Sequence, residues 1–132
     1  MKVLILDVEE DILEILCYNF SKAGFEVLGI HNEEDLLTQA RLGMPEVVVL
    51  GNTWQEHSGL RDQLRQIPGL GECLLVYLHT HLPPKKRPLP NELYIQTPVK
   101  PGRIIKQVQR RLFQKQLQGP EIPNGTPSPG GT

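Results

Sequence analysis

Acidic side chains dominate the first place where this sequence could do chemistry. The apolar run VLIL (3–6) ends in DVEED, so Asp7, Glu9, Glu10 and Asp11 gather where a helical pattern begins. Several carboxylates together suit a hard divalent cation such as Mg²⁺. They repel phosphate, whose cofactors call for a glycine-rich turn at this point instead. A second position is the end of the run VVVL, where residues 47–50 lead into Gly51 and a polar loop carrying Trp54 and His57. Glycine supplies no nucleophile, acid or ligand. A third is the HTH triplet at 79–81. His57, His79 and His81, with Asp7 and Glu9, are weak candidate ligands for zinc or a similar ion. HTH is not a distinctive paired-ligand motif, however, and solvated loop histidines are the expected reading. No metal and no cofactor are expected. Glu9, Glu10 and Asp11 have a simpler role in the first turn of a helix, whose dipole favours negative charge.

These positions need a scaffold, and the apolar patterning supplies one. Residues 3–6, 25–30, 46–50, 73–78 and 93–96 read as strands, several of them apolar without a break. Between them lie helical stripes: Ile12, Leu13, Leu16, Cys17 and Phe20, closed by Gly24; Leu36, Leu37 and Ala40, opened by Asn32 with Asp35 in a capping-box relation and ending near Gly43; and Leu60, Leu64 and Ile67, capped by Ser58 and stopped by Pro68 and Gly69. Pro101 suits a first helical position, and Ile104, Ile105, Val108 and Leu112 give the last helix its apolar face to about Leu117. The alternation fails at HTHLPPKKRPLPNEL (79–93), whose prolines bar a regular helix. Residues 118–132 are rich in Pro and Gly and cannot offset the entropy of ordering, so 1–117 is expected to be the domain and 118–132 a disordered tail.

Near-continuous apolar strands alternating with helices imply a parallel sheet covered on both faces. Right-handed crossovers then favour an α/β, flavodoxin-like, doubly wound five-stranded sheet of order 2-1-3-4-5, with the fourth helix replaced by the proline-rich loop. Ligands in such folds bind at the carboxyl ends of the strands, at the switch point between the first and third. That is where Asp7 and Gly51 fall.

Composition narrows the function classes. A net charge of −1 provides no field that would gather nucleic acid or anionic membrane. Nothing approaches a spanning helix, and the N-terminal apolar run is too short for a signal peptide, so a cytoplasmic protein is expected. Cys17 and Cys73 sit in apolar segments and read as reduced, buried thiols. The last helix is basic through Arg103, Lys106, Arg110, Arg111 and Lys115. Such a face is usually solvated or meets an acidic protein, and direct nucleic-acid binding is not expected.

The chain also resembles a known family over residues 2–113: the response-regulator receiver (CheY-like) domains of two-component signalling, closest to PhoB/OmpR-type receivers. LDVEEDILEIL matches the acidic end of the family's first strand. Pro45, the strand that follows it and the Gly59-Leu60 pair set the register of the third. LRQIPGLGECLLVYL matches the passage into the fourth strand, and YIQTPVKPGRII the fifth-strand ending, whose proline normally follows a cis peptide. The resemblance implies that Asp7 keeps the first acid of a metal-binding pair, while Val8 stands where the second should be. It places Gly51 at the phospho-accepting aspartate. His79 stands at the Ser/Thr position, with Thr80 beside it, and Thr97 at the phosphoryl-binding lysine, ahead of a retained Pro98. Lys100 lies three residues late, on the far side of Pro98, and does not take that lysine's place.

Aspartyl phosphorylation needs a carboxylate nucleophile, a divalent cation and a cation to hold the product. Without the first there is no covalent intermediate. The resemblance therefore implies a degenerate, stand-alone pseudo-receiver, not an enzyme, acting in phosphorelay signalling through contact with a protein partner or a second copy. The expected contact side comprises the fourth and fifth strands and the last helix, with Tyr94, Arg103, Lys106 and Arg110. The competing reading is a ligand or metal sensor using the vacant pocket near Gly51, Trp54 and His79. A third is a remnant of a longer regulator.

Overall fold

Valine and leucine runs form the strands of this protein because β-branched and branched side chains fit a pleated surface buried on both faces. The computed structural model describes residues 1–51, 58–80 and 91–117, with Ser58 and residues 115–117 described by their backbone alone. The elements are β1 (Lys2–Leu6), α1 (Glu10–Lys22), β2 (Glu26–Ile30), α2 (Glu33–Gly43), β3 (Val47–Leu50), α3 (Ser58–Arg65), β4 (Leu74–His79), β5 (Glu92–Gln96) and α4 (Pro101–Leu117). The five strands form one sheet of order β2-β1-β3-β4-β5. Every pairing in it is parallel. The expected flavodoxin-like topology is therefore the observed one. The proline-rich segment 81–90 and the tail 118–132 lie outside the described residues.

Strand alternation divides the core in two. Val3 and Ile5 of β1, Val47 and Val49 of β3, and Leu74, Val76 and Leu78 of β4 face α1 and α4, which contribute Leu13, Leu16, Phe20, Ile104, Ile105, Val108 and Leu112. Leu4, Leu6, Val48, Leu50, Leu75 and Tyr77 face α2 and α3, which contribute Leu36, Ala40, Leu60 and Leu64. Each such side chain contributes about 1.5–3 kcal/mol on burial. This outweighs any single surface contact, so β1 and β3 are held rigidly at the centre.

Local signals stop and start the helices much as expected. Asn32 caps α2, its side-chain oxygen accepting from Asp35 N–H at 2.8 Å. The return half of the capping box differs: Asn32 Nδ2 donates to the Asp35 carboxylate at 3.0 Å. Gly24, just past α1, takes φ +99°, a backbone state only glycine adopts without strain. Ile12 is a correction. It is 39% exposed, because the buried stripe of α1 narrows to Leu13, Leu16 and Phe20. At the far end of α3, Arg65 donates to the carbonyls of Leu70, Gly71 and Cys73 at 3.3, 3.0 and 2.7 Å and to that of Asn91 at 3.1 Å. One guanidinium thus ties α3 to the entrances of β4 and β5.

Candidate functional site

Register decides what meets at the switch point. Leu6 of β1 pairs with Leu50 of β3, so the next residues, Asp7 and Gly51, emerge side by side. Gly51 N–H donates to Leu6 carbonyl at 2.8 Å, and Asp7 N–H to Ile30 carbonyl at 3.1 Å, which fixes both backbones. Asp7 is 5% exposed. Its Oδ1 accepts from Glu9 N–H at 2.9 Å, a local turn that delivers the chain into α1 with Glu9 as its N-cap. A Cβ added to Gly51 would lie 2.5 Å from Asp7 Oδ2 and 2.8 Å from its Cγ. The carboxylate therefore occupies the room that a side chain at 51 would need.

Each remaining predicted position has a definite place. Val8 is 50% exposed. His79 is a correction: it is not in the loop after β4 but is the last residue of that strand, paired with Gln96. It is buried, with its ring 6.5 Å from that of Tyr94. Its strand alternates with Leu78, so it lies on the Tyr77 side, whereas Asp7 and Glu9 line a cavity against α1 and α4. Thr97 N–H and Oγ1 both donate to His79 carbonyl, at 2.7 and 3.2 Å. Thr97-Pro98 is cis, as the resemblance implied. Trp54, His57 and His81 lie outside the described residues. Among the described residues, no cluster of three or more His, Cys, Asp or Glu side chains is arranged to hold a metal.

Arg103, Lys106 and Arg110 are exposed along α4, opposite its buried stripe. Tyr94 is half-buried and packs with the other core, its ring stacked on Tyr77 at 4.9 Å and 19°. A surface joining Tyr94 to the basic stripe must therefore wrap around the edge strand β5.

Glu92 is the polar residue that the sequence reading missed. It opens β5 and is fully buried. Arg61 Nη1 lies 3.2 Å from its Oε2, and Tyr77 hydroxyl donates to the same oxygen at 3.2 Å. Burial, then the neighbouring Glu92 and Tyr94, push the Tyr77 hydroxyl well above its usual range. Glu92 and the other nearby charges raise the Arg61 guanidinium despite its partial desolvation. Neither Cys17 nor Cys73 forms a disulfide, and burial pushes the Cys17 thiol up, which disfavours the reactive thiolate.

This geometry can be set beside known proteins. No protein-family model matches the chain. The alkaline phosphatase synthesis transcriptional regulatory protein PhoP of Bacillus subtilis (strain 168) is 33% identical over 67 residues, covering 49% of this chain and 28% of that regulator. The chain thus spans well under a third of this curated relative. The chemotaxis response regulator CheY4 of Vibrio cholerae is similar in structure, with TM-score 0.72 and 18% identity over 83% of this chain and 97% of that one. The pseudo-receiver domain of CikA is similar at TM-score 0.59 and 21% identity, over 84% and 96% of the two chains. NtrX from Brucella abortus gives TM-score 0.72 and 21% identity, over 89% of this chain and 27% of that one. The fold is that of response-regulator receiver domains. One pseudo-receiver domain, that of CikA, is among the structures it resembles.

Proposed function

We propose that this chain is a receiver module of two-component signalling that has lost aspartyl phosphorylation and acts through protein–protein contact. The observation that carries the reading is Gly51. It follows β3 directly, beside Asp7, and a carboxylate side chain there would require Asp7 to move. Val8 in place of a second acid and Thr97 in place of a lysine support the same conclusion, since both a divalent cation and the product would be held poorly. The chain on this reading is not an enzyme and needs no cofactor. Its partner is a signalling protein or a second copy, met through the β4/β5/α4 side with Tyr94, Arg103, Lys106 and Arg110, in the cytoplasm. Among the described residues no helix is long and apolar enough to cross a membrane.

Incubation with acetyl phosphate and Mg²⁺, followed by intact-mass spectrometry under neutral and acidic conditions, tests the reading. The mass is expected to stay unchanged. A stoichiometric phosphoryl adduct on any Asp or Glu overturns it.

A further inference from the structure

Between α1, the end of β4 and the start of α4 lies a cavity of about 390 Å³. Ile12, Ile15, Leu16, Leu78, Val99 and Ile104, together with two prolines, supply most of its wall; Thr80 and Thr97 add hydroxyls, and Asp7 and Glu9 supply negative charge. This is not the pocket near Gly51, Trp54 and His79 that the sequence suggested, because neither Gly51 nor His79 lines it. The volume falls within the range of about 300–1,000 Å³ typical of small-molecule sites, and a largely apolar lining with few polar groups is their usual character.

Among the described residues, no cation compensates the negative charge on the cavity wall. Asp7 is 95% withdrawn from solvent, given its 5% exposure. Its carboxylate takes one hydrogen bond, from Glu9 N–H to Oδ1. Among the described residues no lysine, arginine or histidine pairs with it. Thr97, also on the wall, turns its hydroxyl to His79 carbonyl instead. A buried carboxylate without a cation favours a ligand that brings one, and the apolar wall favours a ligand with a hydrocarbon body. The exposed Ile12 and Ile15, at 39% and 51%, belong to the same wall and would be covered by such a body.

We infer that this cavity binds a small organic cation, a protonated amine carrying an apolar group, with the ammonium at Asp7 and Glu9 and the hydrocarbon along α1 and α4. A bare metal ion would leave the apolar wall wet, and a neutral hydrocarbon would leave Asp7 unpaired. The inference is independent of the phosphorylation reading: a protein that takes no phosphoryl group can still bind or fail to bind an amine.

The test uses 4-phenylbutylammonium as probe and 4-phenylbutanol as its neutral counterpart, titrated into the full chain with isoleucine and leucine methyl NMR. Saturable shifts at Ile12, Ile15 and Ile104, with the amine preferred by about tenfold, are expected from one charge-assisted contact. Asp7→Asn should remove that preference while the methyl spectrum stays folded. Thr97→Lys should compete by placing a tethered ammonium on the same wall. Absence of saturable methyl shifts, equal binding of amine and alcohol, or a preference unchanged in Asp7→Asn overturns the inference.

Discussion

Asp7 Oδ2 stands 2.5 Å from the point where a Cβ of residue 51 would be, so Gly51 is required by its neighbour rather than by its own backbone. Its φ is not in the left-handed region, and Gly24 and Gly69 are the described glycines that are.

Gly51→Ala should accordingly destabilise the fold by about 1–3 kcal/mol, the usual cost of overpacking a filled site. Asp7→Ala should rescue part of that loss, because the methyl then occupies vacated space. A urea-denaturation double-mutant cycle is expected to give a coupling of about 1 kcal/mol or more. Additive effects would show that the two residues do not compete for room.

Arg61 and Glu92 predict a different asymmetry. Removing Arg61 takes one ion-pair partner from a fully buried carboxylate that Tyr77 also bonds, and breaking such a pair from one side is normally worse than deleting both partners. The Arg61 side chain is 30% exposed, so water offsets part of the loss and Arg61→Ala should cost about 2 kcal/mol. Replacing Arg61 and Glu92 together with leucine should cost less than that single change. Chemical denaturation of the three proteins measures this directly, and a double variant weaker than Arg61→Ala would contradict it.

Tyr77 sets an alkaline limit. Its folded pKa is raised above the ordinary value of about 10, chiefly by burial and then by Glu92. The folded state therefore keeps its proton where the unfolded state has released it. The sign follows: this stability is fully present below pH 10 and is lost as pH rises beyond it. Tyr77→Phe, which removes both the titration and the hydrogen bond to Glu92, should lower stability at pH 8 by about 1 kcal/mol. It should also flatten the decline between pH 9.5 and 11, read as urea midpoints at each pH. Parallel curves for the two proteins would rule out Tyr77 as the titrating group.

Much of this was legible in the chain, for particular reasons. VLIL, VVVL and CLLVYL announce strands because the inner strands of a parallel sheet covered on both faces read as near-continuous apolar runs, and Asn32 and Gly24 mark helix ends by their own chemistry. Glu92 was not legible. A glutamate after asparagine reads as loop, and its partner Arg61 is placed by tertiary packing alone. His79 differs for a related cause: nothing in a histidine's own chemistry reveals that it will close β4 and be buried there. The Asp7–Gly51 contact is a matter of register. It follows only once Leu6 is known to pair with Leu50, which hydrophobic pattern does not specify for two uniformly apolar strands. The apolar cavity was hidden similarly, since Ile12 was assigned to the core rather than to its rim.

If the chain is the phosphorylation-independent receiver proposed above, restoring one residue should not confer aspartyl phosphorylation. Gly51→Asp supplies a nucleophile, but sets it against Asp7, where two carboxylates disfavour joint ionisation. Val8, half exposed, still offers no second acid, and Thr97 no ammonium. Acetyl phosphate with Mg²⁺ is therefore expected to leave Gly51→Asp unmodified by intact mass, while Val8→Asp, Gly51→Asp and Thr97→Lys combined gain a phosphoryl group. Because a divalent ion between Asp7 and its new neighbours would relieve their repulsion, the triple variant should also gain thermal stability with Mg²⁺. The single variant should gain little. An adduct on Gly51→Asp alone would show that the cleft needs nothing beyond the acceptor, and that Val8 and Thr97 are incidental.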